Sequence, residues 1–121
     1  MARILAVDDS PAMRQMVSVT LRSAGHVVVE ARDGVEALDI AKQPPAVDLV
    51  ITDINMPNMD GITLVKELRQ LAHFRGVPLL VLTTEATEQK KQEGKAAGAT
   101  GWIVKPFDPQ RLLSAVARVV G

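Results

Sequence analysis

Arg3-Ile4-Leu5-Ala6-Val7-Asp8-Asp9-Ser10-Pro11 (residues 3–11) sets an apolar run against two acids and then a helix start. Ser10 can cap that helix, and Pro11 suits its first position, where a missing N–H costs nothing. A strand that is almost continuously apolar has both faces covered, as in a parallel sheet between helices. The layout returns along the chain. Leu49-Val50-Ile51-Thr52 runs into Asp53, and Leu79–Thr83 is equally apolar. Val27–Glu30 and Gly101–Val104 complete five strand candidates; Val27–Glu30 is short and ends in an acid, which suits a sheet edge.

Helical runs lie between the strands. Met13, Met16, Val17, Thr20, Leu21 and Ala24 share one face of the first helix, and Gly25 stops it. Asp33-Gly34-Val35-Glu36 opens the second in the manner of a capping box, and the helix ends before Pro44-Pro45. The third opens at Asp60-Gly61 and lines up Ile62, Val65 and Leu68. The fifth opens at Asp108-Pro109 and buries Leu112, Val116, Val119 and Val120. The fourth, about Ala86–Ala97, is the weakest: it is rich in Glu, Gln and Lys, and an interior Gly94 costs roughly 1 kcal/mol against Ala. The expected fold is α/β, a flavodoxin-like, doubly wound, five-stranded parallel sheet with five helices. Right-handed crossovers leave few topologies, and strand order 2-1-3-4-5 is the one expected here.

That order makes the first and third strands neighbours where the winding reverses, and ligands in such sheets bind outside the carboxyl ends at that point. Asp8, Asp9, Asp53, Thr83 and Lys105 all fall at carboxyl ends. Taken singly each has an ordinary explanation. Paired acids after a strand commonly serve turns or caps. Asp53 precedes the turn-rich Asn55-Met56-Pro57-Asn58-Met59-Asp60-Gly61, Thr83 is a β-former, and a lysine before a proline is usually solvated. Together they carry chemistry. Three crowded carboxylates repel one another, and a hard divalent cation with oxygen ligands, Mg²⁺ above all, relieves the repulsion. A lysine and a threonine at the same edge can hold phosphoryl oxygens. The constellation reads as a metal-dependent phosphoryl acceptor.

Composition narrows the alternatives. A chain of 121 residues reads as one domain with a full core. Fourteen basic and 14 acidic residues cancel, so no basic excess favours nucleic acid. Cysteine is absent, which excludes disulfides and thiolate sites, and His26 and His73 form no ligand pair. No apolar run reaches membrane-spanning length and no signal-peptide layout opens the chain, so the cytoplasm is expected.

The motifs Asp8-Asp9, Asp53-Ile54-Asn55-Met56-Pro57-Asn58-Met59-Asp60-Gly61, Thr83-Thr84-Glu85 and Lys105-Pro106-Phe107 span the chain. With them the sequence resembles the receiver domain of two-component response regulators, most closely the stand-alone chemotaxis regulators. That family is itself a standard example of the 2-1-3-4-5 order. The resemblance implies a single receiver domain over residues 1–121 without an output domain. It makes Asp53 the phosphoacceptor, with Mg²⁺ held by Asp9, Asp53 and the backbone carbonyl of Asn55, and by Asp8 mainly through water. Thr83 and Lys105 would bind phosphoryl oxygens, and the Lys105–Pro106 bond would be cis. Trp102 stands where the family has an aromatic switch residue coupled to Thr83. Thr84 and Glu85 would modulate the site, and Lys90, Lys91, Lys95 and Trp102 would form the partner face.

Expected partners are a histidine kinase, in this branch a chemotaxis kinase, and a flagellar motor switch protein or other output protein, with room for a phosphatase. The protein would act as a monomer, without nucleic acid or membrane, and as no enzyme beyond self-catalysed phosphorylation and dephosphorylation of Asp53. A phosphate sink or phosphorelay intermediate is the alternative. An aspartyl-nucleophile phosphatase would need a second acid–base group and a substrate cap. A flavin module would want stacking aromatics and a phosphate loop less acidic than Asp8-Asp9-Ser10.

Overall fold

A computed structural model describes residues 1–120. In chain order the elements are β1 (Arg3–Val7), α1 (Pro11–Ser23), β2 (Val27–Ala31), α2 (Gly34–Ala41), β3 (Leu49–Thr52), α3 (Gly61–Arg69), a 3-10 turn (Ala72–Phe74), β4 (Leu79–Thr83), α4 (Glu88–Ala97), β5 (Gly101–Val104) and α5 (Pro109–Val120). All strands pair in parallel, in the order β2-β1-β3-β4-β5. β2 is an edge, as expected, and runs one residue further, to Ala31.

Alternation along the strands builds two core layers, since successive side chains point to opposite faces. Ile4, Ala6, Leu49, Ile51, Leu80 and Leu82 meet Val17 and Leu21 of α1 and Leu112 and Val116 of α5. Leu5, Val7, Val50 and Leu79 meet Ala37 and Ala41 of α2 and Leu64, Val65 and Leu68 of α3. A smaller cluster of Ile54, Ile62 and Val81 is completed by Ala97, Ala99 and Trp102.

The helix starts follow their caps. Ser10 Oγ accepts Met13 N–H, Asp33 Oδ1 accepts Glu36 N–H, and Asp60 Oδ1 accepts Thr63 N–H. The second cap departs from a strict capping box: Glu36 Oε1 accepts the N–H of Arg32, one residue before the cap. Helix α4 begins at Glu88 behind a Thr87 cap, two residues later than expected, because Thr87 Oγ1 can accept the N–H of Lys90.

The expected face of α1 was too wide. Its buried residues are Val17, Ser18 and Leu21, while Met16 is 55 % exposed and Ala24 is exposed too. Met13 packs against the same core while half-buried, so the covered stripe falls short of the expected face at Met16 and Ala24. In α5, Leu112 and Val116 are buried, but Val119 and Val120 in its last turn are half-buried.

Arg69 closes the far end of α3. Its guanidinium donates to the carbonyls of Phe74, Val77 and Gly98, the latter two at 2.7 and 2.8 Å, and so ties the 3-10 turn, the approach to β4 and the end of α4 together. Burial pulls this guanidinium below the ordinary arginine value.

Candidate functional site

The site begins with register. Val7 of β1 aligns with Ala31 on one side and Thr52 on the other, so both strands end level. The next residues are Asp8 and Asp53, and the ladder carries on through them: Asp8 N–H donates to Ala31 O at 3.1 Å and Asp53 N–H to Val7 O at 3.0 Å. Both side chains therefore leave the sheet at one level. Asp9, one residue on, is exposed. Carboxylate oxygens of Asp8, Asp9 and Asp53 lie within 4.8 Å of one another.

Each buried acid is held. Asp8 Oδ1 accepts Ser10 N–H at 2.9 Å, and Asp53 Oδ1 accepts Ile54 N–H at 2.6 Å. Lys105 completes the cluster from the end of β5: its ammonium donates to Asp8 Oδ2 at 2.8 Å and to Asp53 Oδ2 at 3.0 Å. Burial alone would lower the Lys105 pKa, but its hydrogen bonds to Asp8 and Asp53, with their charges, outweigh that and raise it. Lys105 thus stays an ammonium at any physiological pH. The Lys105–Pro106 bond is cis. Asp9 makes no ion pair among the described residues.

Thr83 ends β4 fully buried, its hydroxyl accepting Glu85 N–H at 3.2 Å. Its carbonyl accepts the N–H of Lys105 at 2.9 Å, so the ends of β4 and β5 are tied. Thr84 beside it is exposed. Asn55 is exposed; its side-chain amide donates to Glu85 Oε1 at 3.2 Å, and its backbone carbonyl takes no hydrogen bond among the described residues.

The donor set fits a hard divalent cation. It consists of oxygens only, two acids are positioned by backbone N–H groups, and exposed Asp9 leaves one side open to water.

The residues expected at a partner face divide. Lys91 and Lys95 line a groove of about 340 Å³ with Trp102, whereas Lys90 turns to Glu93, 3.9 Å away. Trp102 is half-buried, and its indole Nε1 donates to the carbonyl of Glu85 at 2.9 Å. Glu85 therefore joins Asn55, at the acid cluster, to Trp102.

Two contributors escaped the sequence reading. Gly61, read there as turn chemistry, lies so close to the end of β3 that a Cβ would overlap the Asp53 carbonyl oxygen. Asn58 holds the same loop in a left-handed conformation, φ 71°, while its amide reaches Asp33 Oδ2 at 2.8 Å. An Asn within the turn-rich stretch was the available signal, since Asn tolerates that region.

The comparisons agree with this geometry. The family profile described as "Response regulator receiver domain" matches residues 4–117. The "Chemotaxis protein CheY homolog" of Campylobacter jejuni is 40 % identical over 120 residues, 98 % of this chain and 92 % of that protein. Among solved structures, chemotaxis protein CheY4 of Vibrio cholerae superposes with TM-score 0.93 at 53 % identity, covering 98 % of both chains. The receiver domain of sensor histidine kinase PA1611 from Pseudomonas aeruginosa, described with a magnesium ion coordinated in its active-site cleft, superposes with TM-score 0.92 at 29 % identity, covering 99 % of this chain and 98 % of that one. With paired acids after β1, an acid after β3 and a lysine after β5 closing on one pocket, the chain belongs to the response regulator receiver domains.

Proposed function

We propose that this protein is a phosphorylation-activated signalling switch in which Asp53 accepts a phosphoryl group from the phosphohistidine of a histidine kinase. The observation that carries the reading is Lys105 bridging Asp8 and Asp53 inside a cluster of three carboxylates. Asp8, Asp9, Asp53 and the Asn55 carbonyl would hold Mg²⁺, which when bound supplies positive charge that offsets the repulsion between a carboxylate and an anionic donor.

The remaining work belongs to the chain. The Ile54 N–H pins one oxygen of Asp53 and so fixes the carboxylate plane. A carboxylate oxygen attacks phosphorus, the bond to the donor imidazole nitrogen breaks, and the electron pair stays with the imidazole. Lys105 has three donors and uses two on the acids, so it can turn one to a phosphoryl oxygen. Thr83 supplies a hydroxyl from the neighbouring strand end. Positioning and charge stabilisation are nearly all that phosphoryl transfer requires. A phosphatase finds less support, because the second buried carboxylate, Asp8, is tied to the Lys105 ammonium and the Ser10 N–H rather than free for acid–base work.

Output would leave by protein–protein contact at the groove of Lys91, Lys95 and Trp102. The relatives named for chemotaxis favour a chemotaxis kinase upstream and a flagellar motor switch protein downstream, in the cytoplasm. No helix among the described residues is long and apolar enough to cross a membrane.

The test is incubation with acetyl phosphate, with and without Mg²⁺, read by intact mass. Wild type should gain one phosphoryl group only with Mg²⁺, and Asp53→Asn none. Labelling that persists in Asp53→Asn, or that ignores Mg²⁺, refutes the assignment.

A further inference from the structure

Helix α4 buries one residue, and it is a glycine. Gly94 is buried, while every other residue of Glu88–Ala97 is exposed or half-buried. By propensity this is the wrong residue, since almost any other would strengthen an exposed helix interior. The indole of Trp102 supplies the reason. A Cβ on Gly94 would stand 2.5 Å from Cζ3 and 3.2 Å from Cε3 of that ring. The ring is held on two further sides. Its Nε1 donates to the Glu85 carbonyl in the loop before α4, and its apolar body joins Ile54, Ile62 and Val81. No methyl fits between ring and helix.

We propose that Gly94 is the positioning residue for Trp102. It forms the slot that keeps the indole in its Glu85-bonded pose, and it couples any departure of the ring to a movement of α4. The coupling rests on the reading of Trp102 as the switch residue. Its physics is close packing. Gly94 is the one buried residue of α4 among those described, and a ring that leaves the slot strips both sides of their contacts. The helix must then settle toward the sheet, and Lys91 and Lys95 move with it. Ring position and groove shape become one equilibrium, which a modification shifts only by its differential interaction with the two states.

The experiment combines Gly94→Ala with Trp102→Val, whose side chain stops at its γ carbons. In the wild-type background Gly94→Ala should lower Tm, because the methyl meets the ring. In the Trp102→Val background the same change should raise Tm, because only helix propensity remains. Trp102 emission of unmodified Gly94→Ala should shift toward the value wild type reaches with Mg²⁺ and beryllofluoride, and most of the further response should be lost. A Tm increase in both backgrounds overturns the slot. Reversal of sign with an unchanged emission response in Gly94→Ala overturns the coupling and leaves the switch reading standing. A wild type whose emission ignores beryllofluoride overturns the switch reading, and the coupling with it.

Discussion

Lys105→Met removes the ammonium at the centre of the acid cluster and keeps an apolar stem of similar length. The ammonium lies 2.8 Å from Asp8 and 3.0 Å from Asp53, with side-chain exposures of 9 % for Lys105, 6 % for Asp8 and 11 % for Asp53. Removing one partner of a buried pair costs about 3–5 kcal/mol, chiefly because charge is left behind unpaired. Here two carboxylates would be left, but exposed Asp9 opens the site to water, so the lower figure, about 3 kcal/mol, applies. For a domain of this size a kcal/mol moves Tm by about 4 °C, giving a fall of about 12 °C in chelator. Mg²⁺ binding at the same oxygens should take over part of the neutralisation, so each addition should raise Tm more in the variant than in wild type. The pH dependence has a definite sign. An amine whose pKa is raised on folding contributes fully below its unfolded value, 10.5, and loses that contribution as pH climbs through the folded value. The wild-type advantage should therefore hold steady through neutral and mildly alkaline pH and narrow only above 10.5. The assay is a set of thermal melts across Mg²⁺ concentration and pH. A fall of less than about 3 °C in chelator, or equal Mg²⁺ increments in both proteins, refutes the reasoning.

Other outcomes follow from the same contacts. Gly61→Ala changes no charge, yet its methyl would push on the Asp53 carbonyl; initial rates with acetyl phosphate should fall, by up to about 10²-fold if the acceptor moves by an ångström. Asp33→Ala removes an N-cap and the Asn58 bridge and should cost about 1 kcal/mol in a urea melt at neutral pH. The Glu36 N–H, then the Asn58 amide, hold the Asp33 carboxyl below its ordinary 3.8, so its contribution is full above 3.8 and is lost as pH falls through the folded value; the gap to Asp33→Ala should close only in that acid range. Arg69→Lys should lower the urea midpoint at unchanged slope, because an ammonium cannot reproduce a guanidinium fork on several carbonyls. Thr83→Ala should blunt the Trp102 emission change on adding Mg²⁺ and beryllofluoride; a full response would separate Trp102 from Thr83.

Much of the fold was legible because its signals are local. The apolar runs marked both-faces-buried strands, Ser10, Asp33 and Asp60 marked helix starts by their own side-chain oxygens, and Gly25 marked an end by its positive φ. The acid cluster was legible for a related reason. Asp8 and Asp53 each follow a strand, and in a parallel sheet with level register the residues after neighbouring strands must stand side by side. What the residue types could not supply was which atoms face each other. The α1 stripe came out narrower because only contact with the sheet decides how much of an apolar face is covered. Gly61 and Gly94 looked like a turn former and a helix flaw. Their reasons, the Asp53 carbonyl and the Trp102 ring, sit 8 positions away along the chain in each case, on another element. Periodicity and capping are written into neighbouring residues, whereas a slot the width of a missing methyl exists only when two distant segments have been packed at van der Waals distance.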